Sequence, residues 1–146
     1  MSNWIEPVLV VIGGGFLSLK MLAVWSHTRS AARGVINGKL APNNPSPNSA
    51  CSEGEGANID PIVVSDPELW EGLQDAVESL SGRFVTIETN YLHAVFKTSV
   101  LGFEDDLEAR YDTENNLIHL RSSSRVGHSD MGCNLKRVEA LRRLIE

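Results

Sequence analysis

Cysteine is nearly absent: Cys51 and Cys133 are the two in 146 residues. Two are too few for a disulfide framework, and no C-x-x-C or Cys/His spacing marks a zinc site. The spacing leaves open whether the two thiols pair or stay free. Aromatic side chains are scarce, with three Trp, two Tyr and four Phe, and no glycine pattern matches a phosphate-cradling or dinucleotide-binding loop. No cofactor, metal or catalytic residue is assigned from these absences. Positive charge is also short. The formal net charge is −6, and from Asp60 onward 16 acidic residues stand against 9 Lys and Arg. Such a domain is unsuited to nucleic acid, which is held by many phosphate contacts.

The positive charge that exists is gathered at the other end. Residues 1–40 carry Lys20, Arg29, Arg33 and Lys39 against Glu6 alone. Within them Trp4–Trp25 is a 22-residue hydrophobic run interrupted by two charges, Glu6 and Lys20. As a helix it would be roughly 33 Å long, enough for about 30 Å of hydrocarbon. Tryptophan at both ends and Pro7 in the first turn suit a transmembrane helix. A cleaved signal peptide would need a basic start that is missing here. The expectation is a single-pass anchor over residues 1–28, with residues 4–25 partnering the lipid bilayer. Arg29, Arg33 and Lys39 follow the run, so the positive-inside rule places the rest of the chain in the cytoplasm, the periplasm being the alternative.

Residues 29–58 read as a flexible linker, since GKLAPNNPSPNSACSEGEGAN at 38–58 has hardly an apolar side chain to repay ordering. The domain is expected over 59–146. Asp66 and Pro67 signal a helix start, and Leu69, Trp70, Leu73, Ala76, Val77 and Leu80 form one apolar stripe ended by Gly82. Four alternating segments follow: RFVTIET, YLHAVFKT, EDDLEARYD and NLIHLRS, with turns at Asn90, near Gly102 and at Asp112–Asn116. Leu92, Ala94 and Phe96 share a face, as do Leu107, Ala109 and Tyr111, and Ile118 with Leu120. A last helix from about Asn134 turns Leu135, Val138, Leu141 and Ile145 inward. The fold class expected is α+β, in the order α-β-β-β-β-α, with two helices on a four-stranded antiparallel sheet.

The segments Tyr91-Leu92-His93-Ala94, Phe103–Glu108 and RSSSRVGHSDMGCNLKRVEALR carry a resemblance. Arg121, Ser122, Ser124, Arg125, Gly127, Ser129, Asp130, Gly132, Asn134 and Arg137 fit an R-S-x-S-R-x-G-x-S-D-x-G-x-N-x-x-R pattern. In these residues the chain resembles the uncharacterised bacterial and plastid family catalogued as domain of unknown function 1499, over perhaps 90 residues. Relatives often carry S-P-N-C before the domain; here Ser49 and Ala50 separate Ser46-Pro47-Asn48 from Cys51. The resemblance implies the domain boundaries and supplies no reaction.

The candidate ligand site is the loop that follows the last strand, with Arg121, Ser122, Ser124, Arg125, Ser129, Asp130, Asn134 and Arg137. Guanidinium forks and hydroxyls beside a helix start suit a phosphate or carboxylate. Alternatively, Asp130 pairs with Arg125 or Arg137, and Asn134 caps the helix. Glu104, Asp105, Asp106 and Glu108 offer Asp106 and Glu108 on one strand face to a hard cation, or simply form a solvated face. His93 and His119 sit on strands without an evident third metal ligand. The function expected is a membrane-anchored, non-catalytic binding or scaffold domain engaging an unknown protein or small anionic ligand. The alternative is a small hydrolase-like enzyme using Asp130 and His128 or the acidic strand face.

Overall fold

The computed structural model describes residues 5–43 and 45–145, with side chains described from Val11 onward. The elements run α1 (Ile5–Ser26), β1 (Val35–Ile36), β2 (Lys39–Leu40), β3 (Ser49–Cys51), β4 (Ile62–Val63), α2 (Leu69–Ser79), β5 (Arg83–Ile87), β6 (Tyr91–Lys97), β7 (Glu104–Asp112), β8 (Leu117–Ser124) and α3 (Cys133–Ile145). Strands β5 to β8 are the expected antiparallel meander, in the order β8-β7-β6-β5. The sheet, however, has six strands where four were expected. The free edge of β8 takes β3 along Arg121–Ser123 and β4 along Leu117–Ile118. Segments of three and two residues are too short for an alternating pattern, so periodicity does not reveal them. Ser49–Cys51, within the stretch read as a linker, thus forms part of the sheet.

One sheet face builds the apolar core. Leu92, Ala94, Phe96, Leu107, Ala109, Ile118 and Leu120 meet Trp70, Leu73 and Val77 from α2, and Val138 and Leu141 from α3. Each buried Leu, Ile, Val or Phe among them contributes about 1.5–3 kcal/mol of burial free energy. Helix α2 begins at Leu69, slightly later than Asp66 and Pro67 suggested, because residues 66–68 form a turn in which Asp66 Oδ1 accepts the Glu68 N–H at 3.0 Å. At its other end Ser81, at φ +64°, takes the left-handed position expected of Gly82. The Ser81 N–H reaches Glu78 O and the Gly82 N–H reaches Val77 O, both at 2.8 Å, closing a Schellman motif. Glycine at 82 answers to packing instead: a Cβ there would lie 2.6 Å from Val77 Cγ1 and 2.7 Å from Phe96 Cζ.

The single-pass anchor is not supported, nor is the membrane localisation drawn from it. Among the described residues no helix is long and apolar enough to cross a membrane; Trp4, where the expected span began, lies outside them. The C-terminal end of α1 is fastened to the loop between β6 and β7 and to the start of β7. Lys20 Nζ donates to the carbonyls of Val100 and Leu101 at 3.2 and 3.3 Å. Ala23 and Ser26 are buried, and the Ser26 hydroxyl accepts the Glu104 N–H at 3.0 Å. Val11, Ile12, Phe16, Leu17, Met21 and Val24 remain exposed.

After α1 the chain crosses the sheet face opposite the helices. Ala31, Arg33 and Gly34 form hydrogen bonds to side chains of β7, and β2 packs against β7 and β8. The expected solvated face is therefore a buried one: Asp106 and Glu108 are each 1% exposed.

Candidate functional site

Alternation along β7 and β8 sorts the charged and hydroxyl side chains into two networks. Facing α3 are Asp105, Ser122 and Ser124. Here Ser122 Oγ donates to Asn134 Oδ1 at 2.6 Å, and Asn134 Nδ2 donates to Ser124 Oγ and to Asp130 Oδ2 at 2.9 and 2.8 Å. The Asn134 amide also donates to the Asn48 carbonyl at 2.9 Å, which ties the loop before β3 to α3. Arg137 reaches Ser122 Oγ at 2.8 Å and Asp105 Oδ2 at 2.7 Å, with its guanidinium 4.7 Å over the Phe96 ring. Asp130 pairs with neither Arg125 nor Arg137, which hold Glu104, Asp106 and Asp105. Its carboxylate accepts the Gly132 and Asn134 N–H groups at 3.0 and 2.7 Å and so closes the start of α3. Ser129 Oγ accepts the Met131 N–H at 3.3 Å, and His128 is exposed.

Facing the other way are Glu104, Asp106, Glu108, Arg110, His119, Arg121 and Arg125. Glu108 and Arg121 are direct cross-strand partners, joined by a 2.7 Å bond with side chains 1% and 2% exposed. Arg125 holds Asp106 through two parallel bonds of 2.8 Å and Glu104 through one of 2.6 Å. His93 Nε2 completes Asp106 at 2.7 Å, and the Tyr91 hydroxyl donates to Glu108 Oε1 at 2.9 Å. At the far end Arg110 binds both oxygens of Glu53, at 3.0 and 2.5 Å. His119 lies beside Glu53 at 3.7 Å and beside Ser52 Oγ at 3.5 Å. His93 and His119 do not meet, because β7 runs between their strands.

These surroundings move protonation equilibria outward from neutrality. Burial opposes ionisation of Asp106, yet hydrogen bonds from His93, Arg125 and the Ala31 N–H hold it well below the usual carboxylate range. Burial likewise opposes Glu53, whose bonds from Arg110 and the Leu40 N–H bring it down. Burial and then the adjacent Glu108 charge push the Tyr91 phenol up. Burial raises the Cys51 thiol. Both cysteines are free, Cys51 buried and Cys133 exposed.

The eight residues expected to form one ligand loop are thus divided. Ser122, Ser124, Asp130, Asn134 and Arg137 gather on the α3 side, Arg121 and Arg125 on the opposite side, and Ser129 in the turn between. The polar face also takes in Tyr91, Glu53 and Arg110, which no sequence motif marks. Its available signal was the complementary alternation of Glu104, Asp106 and Glu108 on one hairpin strand with Arg121 and Arg125 on the next. Among the described residues, no three His, Cys, Asp or Glu side chains are placed to hold a metal ion.

Comparison with known proteins decides the kinship. The family model described as Protein of unknown function (DUF1499) matches residues 39–145. The chain belongs to the DUF1499 family. No curated protein and no solved structure matches it. The DUF1499 match takes in both networks and all six strands of the main sheet, and it begins after α1 and the segment that crosses β7.

Proposed function

We propose that this DUF1499 chain is a non-catalytic binding or scaffold domain that engages a protein. One observation carries the reading: the buried acids Asp106, Glu108 and Glu53 are each engaged by arginine together with histidine, tyrosine or backbone N–H groups, which moves Asp106, Glu53 and Tyr91 away from neutral pH. A general acid or base works best with a pKa near the operating pH, and an activated nucleophile needs a depressed one. Asp106 and Glu53 are instead fixed as carboxylates, Tyr91 as a phenol and Cys51 as a thiol. Asp130, the acid expected in a hydrolase-like site, is engaged by two backbone N–H groups at the start of α3.

The same contacts favour a protein over a small anion. Arg121 and Arg125 already hold Glu108, Asp106 and Glu104, so a free phosphate would have to displace buried carboxylates. Titration of the side-chain carboxyl carbons and the tyrosine ring by NMR tests the reading. Asp106 and Glu53 should titrate below the ordinary range of their carboxyls, and Tyr91 above that of a free phenol. Titration of either carboxylate between pH 5 and 8 would overturn the reading and restore an acid–base site.

A further inference from the structure

The segment that crosses the polar sheet face is held by its backbone. The Ala31 N–H donates to Asp106 Oδ2 at 2.6 Å, and the Arg33 and Gly34 N–H groups donate to Glu108 Oε1 at 3.2 and 2.7 Å. In the other direction Arg121 donates to the Ala31 carbonyl at 2.7 Å. The Arg33 side chain is exposed and takes no part in these bonds. Carboxylates and a guanidinium that grasp successive main-chain donors and an acceptor are the elements of a peptide-binding cleft.

Two further observations separate the cleft from its occupant. The matched DUF1499 region begins at Lys39, so every side chain of the cleft lies inside it and residues 31–34 lie outside. The fit is also incomplete. Arg121 is 2% exposed, yet among the described residues its Nε has no hydrogen-bond partner. A buried donor left unmatched is costly, and native structures rarely keep one without reason. Residues 31–34, which lie over the site, supply no acceptor to that Nε.

We infer that Asp106, Glu108 and Arg121 form a receptor site for an irregular or extended main-chain segment of a partner polypeptide, which residues 31–34 fill in cis. The inference rests on the binding-domain reading and names its site and partner class. Recognition is of backbone, so the partner needs non-proline residues at the three donor positions. The cis segment competes at the millimolar effective concentration of a short tether and masks the site until it is displaced.

The test uses the full chain carrying Ala31→Pro with Gly34→Pro. Proline removes two of the donors, and Gly34 at φ +71° has a conformation proline cannot adopt. The probe is a fluorescein-labelled peptide of residues 26–36, with a second peptide bearing proline at the Ala31 position. Fluorescence anisotropy should show the wild-type peptide binding the double variant at least ~10-fold more tightly than it binds the wild-type chain. The proline peptide should bind neither. Amide hydrogen exchange on β7 and β8 reports whether the sheet survives. A protected sheet with no peptide binding overturns the cleft, while the titration above still stands or falls separately. A variant that loses the sheet also overturns it, since residues 31–34 would then be part of the fold. Sedimentation of the wild-type chain identifies the source of the natural partner. A dimer dissociated by peptide means a second copy, and a monomer means a different protein.

Discussion

The two faces of the central sheet are built from the same strands and solve burial in opposite ways. Toward the helices, Leu107, Leu120 and Leu92 are fully buried among other apolar groups. Toward residues 31–40, the neighbours one position along, Glu108, Arg121 and His93, are buried among charges. The apolar face gains from every contact it makes. The ionic face must first repay the desolvation of its charges, so its net contribution is small while the loss of a single member is severe. Burial alone therefore says little about what a residue contributes; the partner it is buried with decides.

The largest expected effect breaks the ionic face on one side only. Arg121→Met leaves Glu108 buried and uncompensated, and should cost about 3–5 kcal/mol by urea unfolding. Adding Glu108→Leu should recover much of that loss. If the double variant is no better than the single, the two charges are not acting as a pair. On the apolar face Leu120→Ala should cost about 2–5 kcal/mol, and no second deletion should rescue it. Overpacking the same core with Gly82→Ala should cost about 1–3 kcal/mol, through contact with Val77 and Phe96.

Acid distinguishes the faces without mutation. The folded pKa of Asp106 is depressed, so its stabilising contribution is complete above the unfolded value of about 3.9 and is lost as pH falls toward the folded value. Urea midpoints should therefore drop below about pH 4. The drop should be shallower in Asp106→Asn, each protein being compared with its own midpoint at pH 6. In Leu120→Ala the curve should shift down in parallel. The smallest effect expected is that of Asp130→Ala, about 1 kcal/mol, as the start of α3 loses its acceptor.

The apolar face was legible in the sequence because period-two alternation is a direct record of it: Leu92-Ala94-Phe96 and Ile118-Leu120 point where the pattern says. The ionic face was not. A strand reading E-D-D-L-E-A-R has the same alternation whether its charges meet water or other charges. What buries Asp106 is a stretch some 75 residues earlier, which has neither a helical nor a strand period to announce it. The site loop was half legible. Its arginines, hydroxyls and Asn134 were found as residues, and the capping role weighed for that region falls to Asp130. Their division between two faces needed the register of β8, which places Arg121 opposite Glu108.

Strand β8 also bears on how sequences of this kind can change over time. Its residues answer alternately to two unrelated environments, Ser122 and Ser124 to α3, Arg121 and Arg125 to β7 carboxylates. A substitution disturbs one environment. An insertion of a single residue after Leu120 exchanges them all, sending the Arg121 guanidinium into the Ser122 position beside Asn134 and Arg137 and a serine to the face of Asp106. Length in this stretch should thus be held more strictly than identity. Relatives that replace the arginine and the glutamate together, while keeping the count of residues between Leu117 and Asn134, would be the natural variants such a strand permits.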